Sequence, residues 1–381
     1  MQNMQKENYR MTQVKRIVAL LLVLLLLMAG LSGCRQKSDA DKTPSESPAV
    51  TEAVPAETEQ PEDAAPTPES SEQPGHHDKD KKDPNPQPPK KEEPSETPKP
   101  EKDTHEKDNK DEFKLSDVQP VVKAGKYQYN PYLLSKEAIR SFDKGFLAFY
   151  KDFLTAYMNY ETSCKCSDVE YAQRICMVLD YECSFYTGDD IDLNWATNYD
   201  FEAGRLNWTY QIDKNTLQTR IRQVAAVMQD FLNKVKPTDN EADKMQALYH
   251  AFCPLMSYDH DSAISREKID ACYALLEHRG ICVTFSYAFA QILAQADIDA
   301  TIGSGLMSDG DSHVWNYANI NGQYYFFDTT FELNYHNGNA YIYYGMTLDE
   351  RLSSGVLADM TWLGRYQDYE LVTAETHLNV H

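Results

Sequence analysis

The sequence predicts an α+β protein: a helix that begins at a cysteine, packed on an antiparallel sheet and preceded by a helical segment. Three observations carry this. Gly280-Ile281-Cys282-Val283-Thr284-Phe285-Ser286-Tyr287-Ala288-Phe289-Ala290 runs from a glycine into an apolar, alanine-rich helical pattern. His313-Val314-Trp315-Asn316-Tyr317 and Tyr324-Tyr325-Phe326-Phe327-Asp328 alternate as strands do, and between them lies Asn321-Gly322, the strongest short hairpin signal. Upstream, residues 133–256 carry several stretches with apolar residues at helical spacing.

The chain opens with an export signal over residues 1–33. Lys6, Arg10, Lys15 and Arg16 precede an apolar run at 17–29, and Leu31-Ser32-Gly33-Cys34 follows. The run is shorter than the about 20 residues of a membrane span. The Leu-Ser-Gly-Cys ending resembles a bacterial lipobox. That implies cleavage before Cys34 and a diacylglyceryl, palmitate-type lipid on its thiol, which would hold the protein at the outer face of the cell membrane. An uncleaved anchor or ordinary signal cleavage nearby are the competing readings.

Residues 34–112 read as a disordered Pro/Glu/Lys-rich spacer. From 38 to 112 there is no Leu, Ile, Phe, Met, Trp or Tyr, and 14 of the 18 prolines fall here with 22 acidic residues and 10 lysines. Such a stretch buries too little apolar surface to offset the entropy of ordering, and proline with like charge keeps it extended. His76 and His77 lie among acids, where a solvated polar face is the better reading than a metal site. The net charge is −22, of which residues 113–381 contribute −15. An acidic protein lacks the basic footprint of nucleic-acid binding, so no nucleic-acid partner is expected.

The folded part divides into an N-terminal helical and β-hairpin region, 113–213, and a catalytic-type domain, 214–381. Residues 133–162 read as one helix and 168–180 as a second, with Ser167 or Asp168 as its cap. Residues 191–195 and 206–212 alternate, which predicts a hairpin or small sheet. Trp195, Trp208 and Tyr210 there are either core packing, the favoured reading, or a platform for a sugar or peptide. Residues 215–235 form an amphipathic helix ended by Pro237, and 240–256 another with an acidic first turn. The tail contains 341–346, which reads as a strand.

Cys282, His313 and Asp328 follow one another in the order a thiol reaction needs. A cysteine nucleophile requires a base, and the base a carboxylate to fix its tautomer. A helix start offers free N–H groups that favour a thiolate and can hold an anion. Each residue has a plainer reading by itself: a buried small hydrophobe, a half-buried histidine, a capping acid. Together, on helix, strand and strand, they make a triad the better reading.

At these residues the chain resembles the bacterial branch of the transglutaminase-like (papain-like thiol) superfamily. The likeness rests on Gly280-Ile281-Cys282, His313-Val314-Trp315-Asn316 and Asp328-Thr329-Thr330, with Tyr258-Asp259 upstream, and covers about 216–331. Val283 stands where many relatives have Gly, and Phe331 where Trp is usual. The resemblance implies a papain-like core and acyl transfer on peptide or glutamine carboxamide bonds, without a cofactor or metal. Cys282 is then the nucleophile, His313 the acid–base and Asp328 its orienting group. A second oxyanion donor would come from upstream, with Tyr258 and Gln246 as candidates, and Trp315, Trp195 and Trp208 are candidate substrate contacts. Water as acceptor makes a cysteine protease or amidase, and an amine makes a transglutaminase; both stay open. Location suggests a protein or peptide substrate, such as a cell-wall peptide. The rival reading is a cell-envelope binding or adhesion lipoprotein that keeps the fold without turnover.

Besides Cys34 and Cys282, six cysteines remain: Cys164, Cys166, Cys176, Cys183, Cys253 and Cys272. They allow fifteen disulfide connectivities, or none if the thiols are buried and free. Cys-Lys-Cys is a poor zinc spacing.

Overall fold

A computed structural model describes residues 112–260, 269–308, 310–335, 338–363, 366 and 371–380, without the side chains of 356–363. The export signal, Cys34 and the spacer up to residue 111 lie outside the described residues.

The centre of the fold is a four-stranded antiparallel sheet in the order Gln323–Phe327, Ser312–Ile320, Asp299–Met307, Val356–Leu363. The helix Cys282–Gln295 packs against its two middle strands. Asn321 and Gly322 both have positive φ, 55° and 90°, between the paired residues Ile320 and Gln323. That is the two-residue primed turn whose twist matches the strands it joins. Alternation along the hairpin sorts its side chains. Ala318, Ile320, Tyr325 and Phe327 join the main core with the cysteine helix, whereas Trp315, Tyr317, Tyr324 and Phe326 form a smaller cluster with Met346.

The main core is continuous from Val118 to Ala374. Its helices start where a side chain can accept the first free N–H groups. Asp168 caps Val169–Glu182, Asp213 caps Lys214–Leu232, and Asn240 caps Glu241–Phe252. A short 3-10 turn, Cys253–Leu255, carries Pro254 and ends that last helix.

The stretch 133–162 is two helices instead of one, Lys136–Ser141 and Lys144–Met158. The break follows from Asp143, whose carboxylate accepts the N–H of Phe146 at 3.0 Å and starts a new helix. Residues 191–212 form several short pieces. Ile191–Asp192 pairs with Thr209–Tyr210, and Arg205–Asn207 pairs with Ser163–Lys165 and Tyr199–Asp200. Trp195 leaves the strand pattern because Asn194 caps a four-residue helix there. Residues 341–346 make a single antiparallel bridge, Met346 with Phe326, and no strand. The buried Glu332 carboxylate takes the N–H groups of Tyr341 and Tyr343 at 2.6 and 2.8 Å, bonds that a ladder would otherwise use. Among the described residues every cysteine is a free thiol.

Candidate active site

The candidate cysteine is the first residue of its helix, Cys282–Gln295, and is half-buried. Two local devices set its approach. Thr284 Oγ1 accepts the N–H of Ile281 at 3.2 Å, closing the helix start. A Cβ at Gly280 would come within 2.6 Å of the Thr284 side chain, so glycine is what lets the chain enter so tightly. The preceding segment is braced from the side. Ser257–Tyr258 runs parallel to Arg279–Gly280, the buried Asp259 donates its N–H to Gly280 O at 2.8 Å, and its carboxylate meets Arg279 at 3.2 Å. The Tyr-Asp pair thus holds the strand that leads into Cys282.

His313 lies near the start of Ser312–Ile320 and is almost fully buried. Asp328 follows the last residue of Gln323–Phe327. The register pairs Asn316 with Phe327, which places Asp328 opposite Trp315 and diagonal to His313. His313 Nε2 and Asp328 Oδ2 are 2.7 Å apart. Cys282 lies close enough to this ring to act on its charge. Phe331 stacks on the ring at 4.2 Å and 13°. Asp328 Oδ1 accepts from the N–H groups of Thr330 and Phe331, at 3.2 and 2.9 Å.

Burial works against charge on this imidazole, but Asp328 and the Cys282 thiol outweigh it and raise His313 to about 9. Burial likewise opposes the charge on Asp328. His313, Arg351 and the Phe331 N–H prevail, and its pKa is lowered. Below pH 9 the arrangement therefore favours an imidazolium beside the thiol.

The other sequence candidates divide. Tyr258, half-buried, is paired with Gly280 two residues before Cys282 and stays beside the site. Gln246 does not. It sits between Lys244, which donates to Ala296 O at 2.8 Å, and Tyr249, which packs on Phe289. That is the level of the C-terminal half of the cysteine helix, between about 10 and 20 Å from Cys282 along its axis. Trp315 is buried, under the Arg351 guanidinium at 4.2 Å, and presents no face to a substrate. Trp208 is buried against Phe153, with ring centres 4.9 Å apart, and is a core residue too. Tyr210 stacks on Tyr160 at 3.9 Å, so this aromatic cluster is packing. Trp195 is half-buried and belongs to the short helix against Val169–Glu182. A cleft of about 510 Å³ includes Ala294 and Asp297, about three helical turns beyond Cys282, and is separate from the triad.

Arg351 is the site residue that sequence reasoning missed. Its Nη1 reaches Asp328 Oδ2 at 3.1 Å from the helix Leu348–Ser353. A signal existed: Thr347 and Glu350 form a capping box, which marks a helix start in the tail.

Residues 229–329 match the family model described as the transglutaminase-like superfamily. Two solved structures are similar. One is titled as a TGase, at 15% identity and TM-score 0.26; the alignment covers 32% of this chain and 34% of that one. The other, from Cytophaga hutchinsonii, is described as a candidate cysteine protease, at 20% identity and TM-score 0.24, with 29% of this chain and 37% of that one covered. The chain thus spans about a third of each neighbour's length. No curated protein matches it. Over residues 229–329, the stretch that holds the cysteine helix and most of the hairpin, this α+β chain is similar to the transglutaminase-like superfamily.

Proposed function

We propose that this protein is a thiol enzyme that transfers acyl groups from peptide or glutamine carboxamide bonds. The observation that carries the reading is one buried imidazole, held through Nε2 by Asp328 and close enough to Cys282 to be influenced by its charge. The Cys282 sulfur attacks the carbonyl carbon, and the backbone N–H of Cys282, with Tyr258 as the upstream candidate, holds the oxyanion. The C–N bond breaks as His313 gives its proton to the leaving amine, and a thioester remains. Water or a second amine then attacks the thioester, yielding its proton to His313. Phe331, stacked on the ring, restricts its rotation.

The test incubates the protein with a dansyl-amine probe and glutamine-containing proteins, comparing wild type with Cys282→Ala. Cysteine-dependent incorporation identifies a transglutaminase, and cysteine-dependent cleavage or deamidation alone identifies a hydrolase. Neither product would remove the enzymatic reading and favour an envelope-binding protein.

The sequence also supports a place outside the cell membrane, with a lipid on Cys34, a spacer at 34–112 and a cell-wall peptide as substrate class. Among the described residues no helix is long and apolar enough to cross a membrane. Labelling with an alkynyl palmitate should mark the wild-type protein and fail in Cys34→Ala; equal labelling of both would sink the anchor.

A further inference from the structure

Asp328 has a cationic partner that a cysteine–histidine–aspartate reaction does not itself require. Arg351 is fully buried, and its Nη1 donates to Asp328 Oδ2, the same oxygen that His313 holds. Its guanidinium lies 4.2 Å from the centre of the Trp315 ring and 5.6 Å from that of Phe331. Those are the two rings that also flank His313, at 6.0 and 4.2 Å. Nη1 donates further to Ser354 Oγ at 3.1 Å. A buried guanidinium is costly unless paired, and this pair is buried on both sides.

We infer that Arg351 is a positioning residue of the thiol site, balancing the charge of Asp328 so that His313 can both hold and release its proton. The inference rests on the thiol-enzyme reading above. Without Arg351, a neutral imidazole would leave Asp328 as an uncompensated buried carboxylate, and His313 would keep its proton instead of passing it to a leaving amine. A guanidinium stays charged throughout the working range, so it supplies a permanent counter-charge. The other titratable groups facing the cluster are Cys282 at the helix start, Tyr249 from Glu241–Phe252, Tyr317 on the histidine strand, and Glu332 and Tyr343 beside Asp328. None of these is a cation.

The experiment compares the full-length wild type with Arg351→Gln and Arg351→Lys. It follows the His313 ring by NMR titration and stability by urea unfolding from acid to alkaline pH. Gln keeps a donor toward Asp328 but no charge, whereas Lys keeps the charge. The His313 midpoint should rise by roughly 1–3 pH units in Arg351→Gln and stay close to wild type in Arg351→Lys. The stability deficit of Arg351→Gln should widen above about pH 9, where the wild-type imidazole gives up its proton at no cost to Asp328. An unchanged midpoint in Arg351→Gln, or a deficit equal at every pH, overturns the inference and leaves Arg351 a packing residue. If Arg351→Gln does not fold, Arg351→Lys decides, since a wild-type midpoint supports charge balance and a shifted one refutes it. Neither readout uses turnover. Failure of the enzymatic reading would appear separately, as a Cys282 whose reactivity ignores His313.

Discussion

Asp328→Ala should cost about 3–5 kcal/mol of folding stability, because it strands a buried arginine. One carboxylate serves four donors: His313, Arg351 and the N–H groups of Thr330 and Phe331. Loss of a helix cap alone accounts for at most about 2 kcal/mol. The excess above that is the signature of an uncompensated guanidinium whose side chain has no exposed surface. Against a typical total of about 5–15 kcal/mol, the loss is large. Urea unfolding measures it, and a deficit no larger than a missing cap would show that the buried pair contributes nothing.

The pH dependence has a fixed sign on each side. Asp328 is lowered from 3.8, so its contribution is present above that value and is lost as pH falls through the folded pKa. His313 is raised from 6.5 to about 9, so its contribution is full below 6.5 and lost as pH rises through 9. The gap between wild type and Asp328→Ala should therefore be widest from about pH 4 to 6.5 and should narrow outside that window. Added salt should change it little, since buried pairs are weakly screened.

His313→Ala is expected to separate activity from folding. Arg351 still compensates Asp328 in this variant, so the fold should survive while acylation falls about 10²–10⁴-fold. The loss has two sources: no imidazolium stabilises the thiolate, and no acid protonates the leaving amine. Cysteine alkylation by iodoacetamide isolates the first source, since it involves no leaving amine. In wild type it should persist well below pH 7, and in His313→Ala it should drop steeply there. On the alkaline side, acylation by wild type should fall with a midpoint near 9, as His313 loses its proton. Equal alkylation of the two proteins at low pH would mean that His313 has no chemical effect on Cys282.

Local chemistry was legible in the sequence. Asp168, Asp213 and Asn240 cap helices within a residue or two of where composition alone puts them, because a cap is decided by neighbours in the chain. Asn321-Gly322 closes its hairpin because only such residues take positive φ at both positions cheaply. The position of Cys282 at a helix start follows from Gly280 and the apolar run after it.

What depends on contacts between distant segments was not legible. Asp143 divides a stretch whose apolar periodicity reads straight through it. Trp208 packs on Phe153 as the favoured reading of its cluster had it, but Trp315, a candidate substrate contact in the sequence, lies in the core once Arg351 closes over it. Residues 341–346 have strand composition, but the buried Glu332 claims the N–H groups that pairing needs. Sequence determined the order of the reactive residues and the elements that carry them. Only tertiary packing decided that Arg351, 23 positions after Asp328, shares its carboxylate with His313, because a buried charge must find its partner in space, whatever the separation along the chain.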